Sequence, residues 1–277
     1  MTASKRSFSD RLKESYQWRI RARLTRAYRV FGPNFQSVTV RGLSIRLLIS
    51  SDIEQYRLDS YSAKEPETLD WIDRKVKSGT VFYDIGANIG LYSLYTAARN
   101  PDAIVYAFEP EAQNHAHLCQ NIFVNNFTNV TPCAIALGPT EELSTFHIST
   151  MDAGSALHSL NAPNQLRVGG ARSVFQQKVY ATSLNALTGR LGMPFPHCIK
   201  LDVDGLEYEI LGAASQLFIN PALRTILLEV TGEFSNPASE AARVKSMLEP
   251  YSFGIEHMGN ETLTGSGEPV RNTVFSR

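Results

Sequence analysis

The chain has 277 residues, 43% of them hydrophobic, enough for one globular domain with a real core, which excludes a disordered polymer. Its 27 basic and 27 acidic residues cancel, so the overall balance gives no pull toward nucleic acid, but the charge is unevenly spread. The first thirty residues carry nine Lys or Arg against Asp10 and Glu14, a net +7 that leaves −7 on the remainder.

Cys119, Cys133 and Cys198 match no metal spacing and cannot all pair with one another, which reads as a reducing compartment. No apolar run reaches the roughly eighteen residues of a membrane span, and Met1 to Asp10 is too polar for a signal peptide. The expectation is a cytoplasmic protein. In the basic segment, Ser9 or Asp10 can cap a helix to about Val30, stopped at Gly32-Pro33. Phe8, Leu12, Tyr16, Ile20, Leu24 and Tyr28 recur every fourth residue there, with arginines between. Such a helix either lies at an anionic inner membrane face or packs on a second subunit or on the rest of the chain. Residues 1–34 are therefore read as a basic helical extension of a domain spanning 35–277.

Ser37 to Ser50 alternates as a short hairpin with Arg41-Gly42 at its turn, and Pro66 to Val76 reads as a helix with proline early in it. An apolar strand from Val81 then ends at Asp84, Gly86 and Gly90 follow, and a helical pattern starts at Leu91. Strand, tight turn and helix in that order place a ligand over the turn. Glycine there tolerates unusual backbone angles and lets the main chain approach a ligand. A second strand, Ala103 to Phe108, ends in Glu109-Pro110. A helix over about Ala112 to Asn125 and a third strand over Val130 to Ile135 continue the alternation, which predicts a parallel, doubly wound sheet.

Pro139 to Ser173 breaks the rhythm. Thr145 to Ser149 fits a strand, but Met151 to Arg172 is rich in Ser, Asn and Gly and shows no period, which reads as a lid over the site. Within it His158 is either a catalytic group or an ordinary surface imidazole. Val179 to Leu184 and His197 to Val203 are further strands, Leu206 to Leu217 one helix, and Thr225 to Val230 a strand with Glu229 near its end. A helix begins near Pro237, and Phe253 to Glu256 with Thr273 to Ser276 form an antiparallel tail. In the fourth core strand Lys200, Asp202 and Asp204 alternate with Ile199, Leu201 and Val203, so the charges share one side. Charges there line the ligand crevice or form a salt bridge capping the strand.

The ligand follows from charge. A dinucleotide fingerprint set on Gly86 requires glycine where Asn88 and Leu91 stand, so NAD is disfavoured. S-adenosylmethionine has no phosphate and carries a ribose, whose two hydroxyls can donate to Glu109.

Asp-Ile-Gly-Ala-Asn-Ile-Gly at Asp84 to Gly90, Phe-Glu-Pro-Glu at Phe108 to Glu111, Ala-Ile-Ala-Leu-Gly at Ala134 to Gly138 and Ile-Lys-Leu-Asp-Val-Asp-Gly at Ile199 to Gly205 together resemble the FkbM family of S-adenosylmethionine-dependent methyltransferases. The resemblance covers about residues 65 to 255, from Glu-Pro-Glu-Thr-Leu-Asp-Trp-Ile-Asp at Glu65. It implies a mostly parallel, Rossmann-like α/β sheet of the class I type. It also implies cofactor contacts at Asp84, Gly86, Ala87, Asn88, Gly90, Glu109, Pro110 and Ala134. The activity it implies is O-methylation of a sugar, polysaccharide or secondary-metabolite hydroxyl. N-methylation, or a non-catalytic module that keeps the cofactor pocket, are the alternatives. Asp202, Asp204 and Lys200 are the candidate catalytic residues, the aspartates as base, acceptor anchor or ligands of a divalent cation. Where the family often has aspartate, this chain has Asn185.

Overall fold

The structure, a computed structural model, describes residues 34–161, 173–203, 205–264 and 267–277. The expected basic helix, Asp204 and residues 162–172 of the expected lid lie outside the described residues. A compact unit runs from Gln36 to Arg277.

Arg41 and Gly42, at φ of 48° and 84°, turn Phe35–Val40 (β1) back into Leu43–Leu48 (β2), the hairpin read from the sequence. Ser51 caps a helix the sequence reading did not assign, Asp52–Ser60 (α1), by accepting from the Glu54 amide. Its apolar residues are too few to show a period. Pro66–Lys75 (α2) precedes Val81–Ile85 (β3), Leu91–Arg99 (α3), Ile104–Phe108 (β4), Ala112–Val124 (α4) and Val130–Cys133 (β5).

The expected doubly wound sheet is present. Cys198–Leu201 (β10) and Thr225–Thr231 (β11) complete a parallel array in the order β11-β10-β3-β4-β5. The chain winds outward from β3 in both directions. The crevice at the carboxyl ends of β3 and β10 is therefore the topological switch point where open α/β sheets take ligands. The tail pairs antiparallel, as expected: Pro269–Ser276 (β14) lies on β11, with Gly254–Met258 (β12) and Thr262–Leu263 (β13) on β14.

Strand residues alternate between two apolar layers. Phe82, Cys198, Leu227 and Val274 pack with α2, α3 and α4, while Tyr83, Ile199, Ile226 and Phe275 pack with Glu207–Gly212 (α6), Ser215–Ile219 (α7) and Glu240–Leu248 (α8). Alternation puts Asp84 and Lys200 in the first layer, and they are register partners on β3 and β10. Two facing charges inside an apolar layer are the feature of this sheet that packing does not explain.

The structure also departs from the sequence reading after β10 and after β5. The single helix expected over Leu206 to Leu217 is two, α6 and α7, split at Ala213-Ala214; Asn185, in the short helix Leu184–Thr188 (α5), accepts from the Leu217 amide and gives α7 its own start. The interval after β5 joins the two strands expected there, near Thr145 to Ser149 and Val179 to Leu184, with two shorter ones into a second sheet. Ala136–Leu137 (β6), Glu142–Ile148 (β7), Ser159–Leu160 (β8) and Phe175–Thr182 (β9) pair in the order β6-β9-β7-β8. Aperiodic Ser, Asn and Gly there supply hydrogen bonds instead of an apolar stripe.

Candidate active site

The turn after β3 is fitted to its neighbour by the absence of a side chain. Gly86 has φ of +80°, and a Cβ on it would fall 1.8 Å from the Asp202 carbonyl oxygen. The Asp202 amide donates to Ile85 O at 3.0 Å, so the ends of β3 and β10 touch through backbone alone. The Gly86 and Ala87 amides both donate to Phe108 O, which fixes the turn against β4 as well. Gly90, at φ of +97°, starts α3 where a Cβ would meet Leu118 at 2.5 Å.

Glu109 follows β4 and is held from two directions. Its Oε2 accepts from the Asn88 amide and its Oε1 from the Glu111 amide, both at 2.8 Å. Two of the roughly four lone-pair positions of a carboxylate are thus used to aim it. Asn88, itself at φ of 53°, donates from its side chain to Ser155 O at 2.6 Å, and Asn114 donates to the same oxygen at 3.0 Å. The described part of the expected lid is in this way tied to the glycine turn.

These elements enclose a cavity of about 340 Å³, within the range of small-molecule sites. Gly86, Ala87, Asn88, Glu109, Pro110, Lys200 and Asp202 all stand on its wall. Asp84 and Gly90 lie behind it, buried in the strand and at the start of α3. Ala134 is exposed and off the wall; Ile135, Ala136 and Leu137 take that place. Arg57, Glu65, Tyr92, Asn114 and Ser155 also line the cavity. The sequence reading missed the role of the first four. Glu65 opens one of the motif blocks and was visible there, whereas α1 offered no signal for Arg57.

Strand β10 ends at Leu201, so Asp202 lies just beyond it and Lys200 inside it. Lys200 is 1% exposed, and its Nζ sits 2.7 Å from Asp202 Oδ2 and 4.9 Å from the centre of the Tyr92 ring. The salt bridge and the crevice-lining position, alternatives in the sequence, are both realised. Burial disfavours the ammonium, but the Asp202, Asp84 and Glu65 carboxylates outweigh it and raise its pKa above the ordinary lysine value. Burial likewise pushes the Asp202 carboxyl up, and Lys200 more than offsets it, holding it below the usual aspartate range. For Asp84 burial wins over Lys200 and the Ser93 hydroxyl, which donates at 2.6 Å, and the carboxyl is raised. Its Oδ1 is buried without a hydrogen-bond partner.

His158 is no surface imidazole. It is 7% exposed, lines the cavity, and packs edge-on to Phe146. Its Nδ1 accepts from the Ser149 amide, which leaves Nε2 to donate to Ser155 Oγ at 3.1 Å, and burial lowers its pKa. Among the described residues no cluster of three or more His, Cys, Asp or Glu side chains is arranged to hold a metal. Nor is any described helix long and apolar enough to cross a membrane.

A parallel sheet with a glycine turn at its switch point, an aimed acid on the next strand and a cavity between them is the arrangement in which open α/β sheets take a small-molecule ligand. The methyltransferase FkbM domain model matches residues 84–259, and the chain belongs to that family of methyltransferases. It is 22% identical over 182 residues to Methyltransferase 1 of Beauveria bassiana, covering 62% of this chain and 71% of that protein. It is 28% identical over 214 residues to the AMB antimetabolite synthetase AmbE of Pseudomonas aeruginosa, 67% of this chain but 10% of that much longer protein. Among solved structures, precorrin-6y C5,15-methyltransferase of Geobacter metallireducens aligns over 83% of this chain and 94% of its own at 13% identity, TM-score 0.45. TYW2 of M. jannaschii in complex with AdoMet aligns over 89% and 88% at 14% identity, TM-score 0.43. The assignment rests on the family match.

Proposed function

We propose that the cavity binds S-adenosylmethionine and that the protein transfers its methyl group to a hydroxyl of a sugar, polysaccharide or secondary metabolite. The observation that carries the cofactor half is Glu109, aimed by two amides beside a glycine turn with no room for a pyrophosphate fingerprint. Ribose hydroxyls would donate to that carboxylate, and the apolar stretch Ile135 to Leu137 would lie along the base.

For the transfer, the acceptor oxygen attacks the methyl carbon in line with the carbon–sulfur bond. A C–O bond forms as the C–S bond breaks, and its electron pair returns to sulfur as a neutral thioether. The methyl is already activated, so the protein's task is to align the acceptor and to take the hydroxyl proton. Asp202 is the group suited to that, anionic and partly exposed at the crevice. Lys200, its charge fixed, acts by keeping Asp202 ionised and oriented and is no base itself. Among the described residues the donor set gives a divalent cation no support, since no three His, Cys, Asp or Glu side chains cluster there and the Asp202 carboxylate pairs with Lys200.

The test uses methyl-labelled S-adenosylmethionine and fractionated lysate of the source organism. Label in a glycan or metabolite hydroxyl supports the reading, and label on an amine nitrogen overturns the acceptor while leaving the cofactor in place.

A further inference from the structure

Glu229 is a cavity-wall carboxylate to which the transfer step gives no task. It stands in β11, a strand flanked on both sides, by β10 and by β14, where an acid is as far out of place as Lys200 is in β10. Alternation settles its direction. Ile226, Leu228 and Val230 pack in the second apolar layer and Leu227 in the first, so Glu229 shares the side of Leu227 and of its register partner Lys200.

The register between β10 and β11 sets what lies beside it. Leu201 pairs with Leu228, so the next position brings Asp202, one residue past the end of β10, alongside Glu229. Adjacent strands lie about 4.8 Å apart. Both acids line the cavity, and Val203 and Leu206 give the same end an apolar patch. Along the sheet the strand ends run β4, β3, β10, β11, so Glu109 and Glu229 are separated by three strand spacings, about 14 Å. A ribose held by Glu109 leaves Glu229 out of its reach. The end of the cavity at β10 and β11 therefore belongs to the acceptor.

We infer that Glu229 is an acceptor-binding residue and that the acceptor is a vicinal diol: Asp202 takes the proton of the hydroxyl that is methylated, and Glu229 accepts a hydrogen bond from the hydroxyl next to it. The inference rests on the methyl-transfer reading above and narrows its acceptor. Hydroxyls on neighbouring carbons are about one hydrogen-bond length apart, so carboxylates on two adjacent strands can meet both. No proton passes to Glu229. It holds the acceptor so that the other oxygen stays in line with the methyl group, while the C–H face of a ring lies on Val203 and Leu206. An acceptor with a lone hydroxyl forgoes the second bond.

The experiment uses the full chain, methyl-labelled S-adenosylmethionine and the lysate fraction that takes the label from wild type. Glu229→Gln is expected to raise the amount of fraction needed for half-maximal rate about fivefold, and Glu229→Ala about tenfold or more, with maximal rate and S-adenosylmethionine affinity within about twofold of wild type. Prior cleavage of vicinal diols in the fraction with periodate is expected to abolish labelling, while a mock-treated portion keeps it. An unchanged half-saturating amount in both variants, a fall in maximal rate as deep as that of Asp202→Asn, or full labelling of the periodate-treated fraction overturns the inference. Weakened cofactor binding in both variants would assign Glu229 to the fold or to the cofactor and overturns it as well. If wild type binds S-adenosylmethionine but no fraction takes label, or the label lands on nitrogen, the acceptor reading itself fails and this inference falls with it.

Discussion

Glu109 and Asp202 stand beyond the ends of β4 and β10, on either side of β3, and they are held by opposite means. Backbone amides of Asn88 and Glu111 aim the two oxygens of Glu109. A buried ammonium fixes Asp202 and sets both its direction and its ionisation. The amides give a carboxylate that can hold a diol in one geometry. The lysine gives a carboxylate whose charge is guaranteed, at the cost of burying the ammonium. Substitutions at the two ends should therefore fail differently.

The largest effect is expected on turnover. Asp202→Asn preserves shape and should cut methyl transfer by about 10²–10⁴-fold, the usual range for a positioned base, with cofactor affinity nearly unchanged. Asp84 still faces Lys200 in this variant, so stability should fall only modestly. A large drop in thermal stability with normal turnover per folded molecule would make the pair purely structural.

Lys200→Met should come next, through stability. It leaves Asp84 and Asp202 without their cation, a loss of about 3 kcal/mol by urea denaturation at neutral pH, toward the low end for buried pairs because the Asp202 side chain is 37% exposed. The pH dependence follows from the signs. Asp202 has a depressed pKa in the folded state, so its contribution exists above the unfolded value and disappears as pH falls through the folded one. Lys200 has a raised pKa, so its contribution is complete below the unfolded value and disappears as pH rises through the folded one. The gap between wild type and Lys200→Met should be widest between about pH 4 and pH 10 and narrow outside that window. A gap independent of pH would mean that lost packing, not charge, explains the variant.

At the other end the effects are smaller and confined to binding. Glu109→Ala should weaken S-adenosylmethionine about tenfold or more, since hydrogen bonds to a charged group contribute about 1.5–3 kcal/mol each. Asn88→Gly keeps the positive φ but removes the side-chain bond to Ser155 O. It should cost only about 1 kcal/mol, read as a small fall in melting temperature. If Asn88→Gly proves as damaging as Glu109→Ala, the tie to the 155–160 wall matters more to binding than the aimed carboxylate does.

The parallel core was legible because its signals are local. Apolar runs ending in Asp84-Ile85-Gly86 and Phe108-Glu109-Pro110 mark strand ends whatever surrounds them, and the charges at Lys200 and Asp202 stand out against a buried strand. What stayed hidden depends on contacts distant in sequence. Of the β6-β9-β7-β8 sheet, β7 and β9 overlap strands read from the sequence, but β6 and β8, two residues each, are too short to show a period. The burial of His158 comes from packing against Phe146 and from bonds to Ser149 and Ser155. Arg57 stands on the cavity wall with its Nε–H bonded to Gly154, 97 residues away. Ala134 was placed by a motif whose neighbouring residues line the wall instead.

The most direct measurement is titration of the full chain with S-adenosylmethionine and, separately, with NAD. Saturable heat from S-adenosylmethionine with none from NAD is the predicted result, matching an aimed Glu109 beside a turn whose glycine positions do not suit a pyrophosphate. Binding of NAD, or a flat titration with S-adenosylmethionine in folded protein, would contradict the assignment of this cavity.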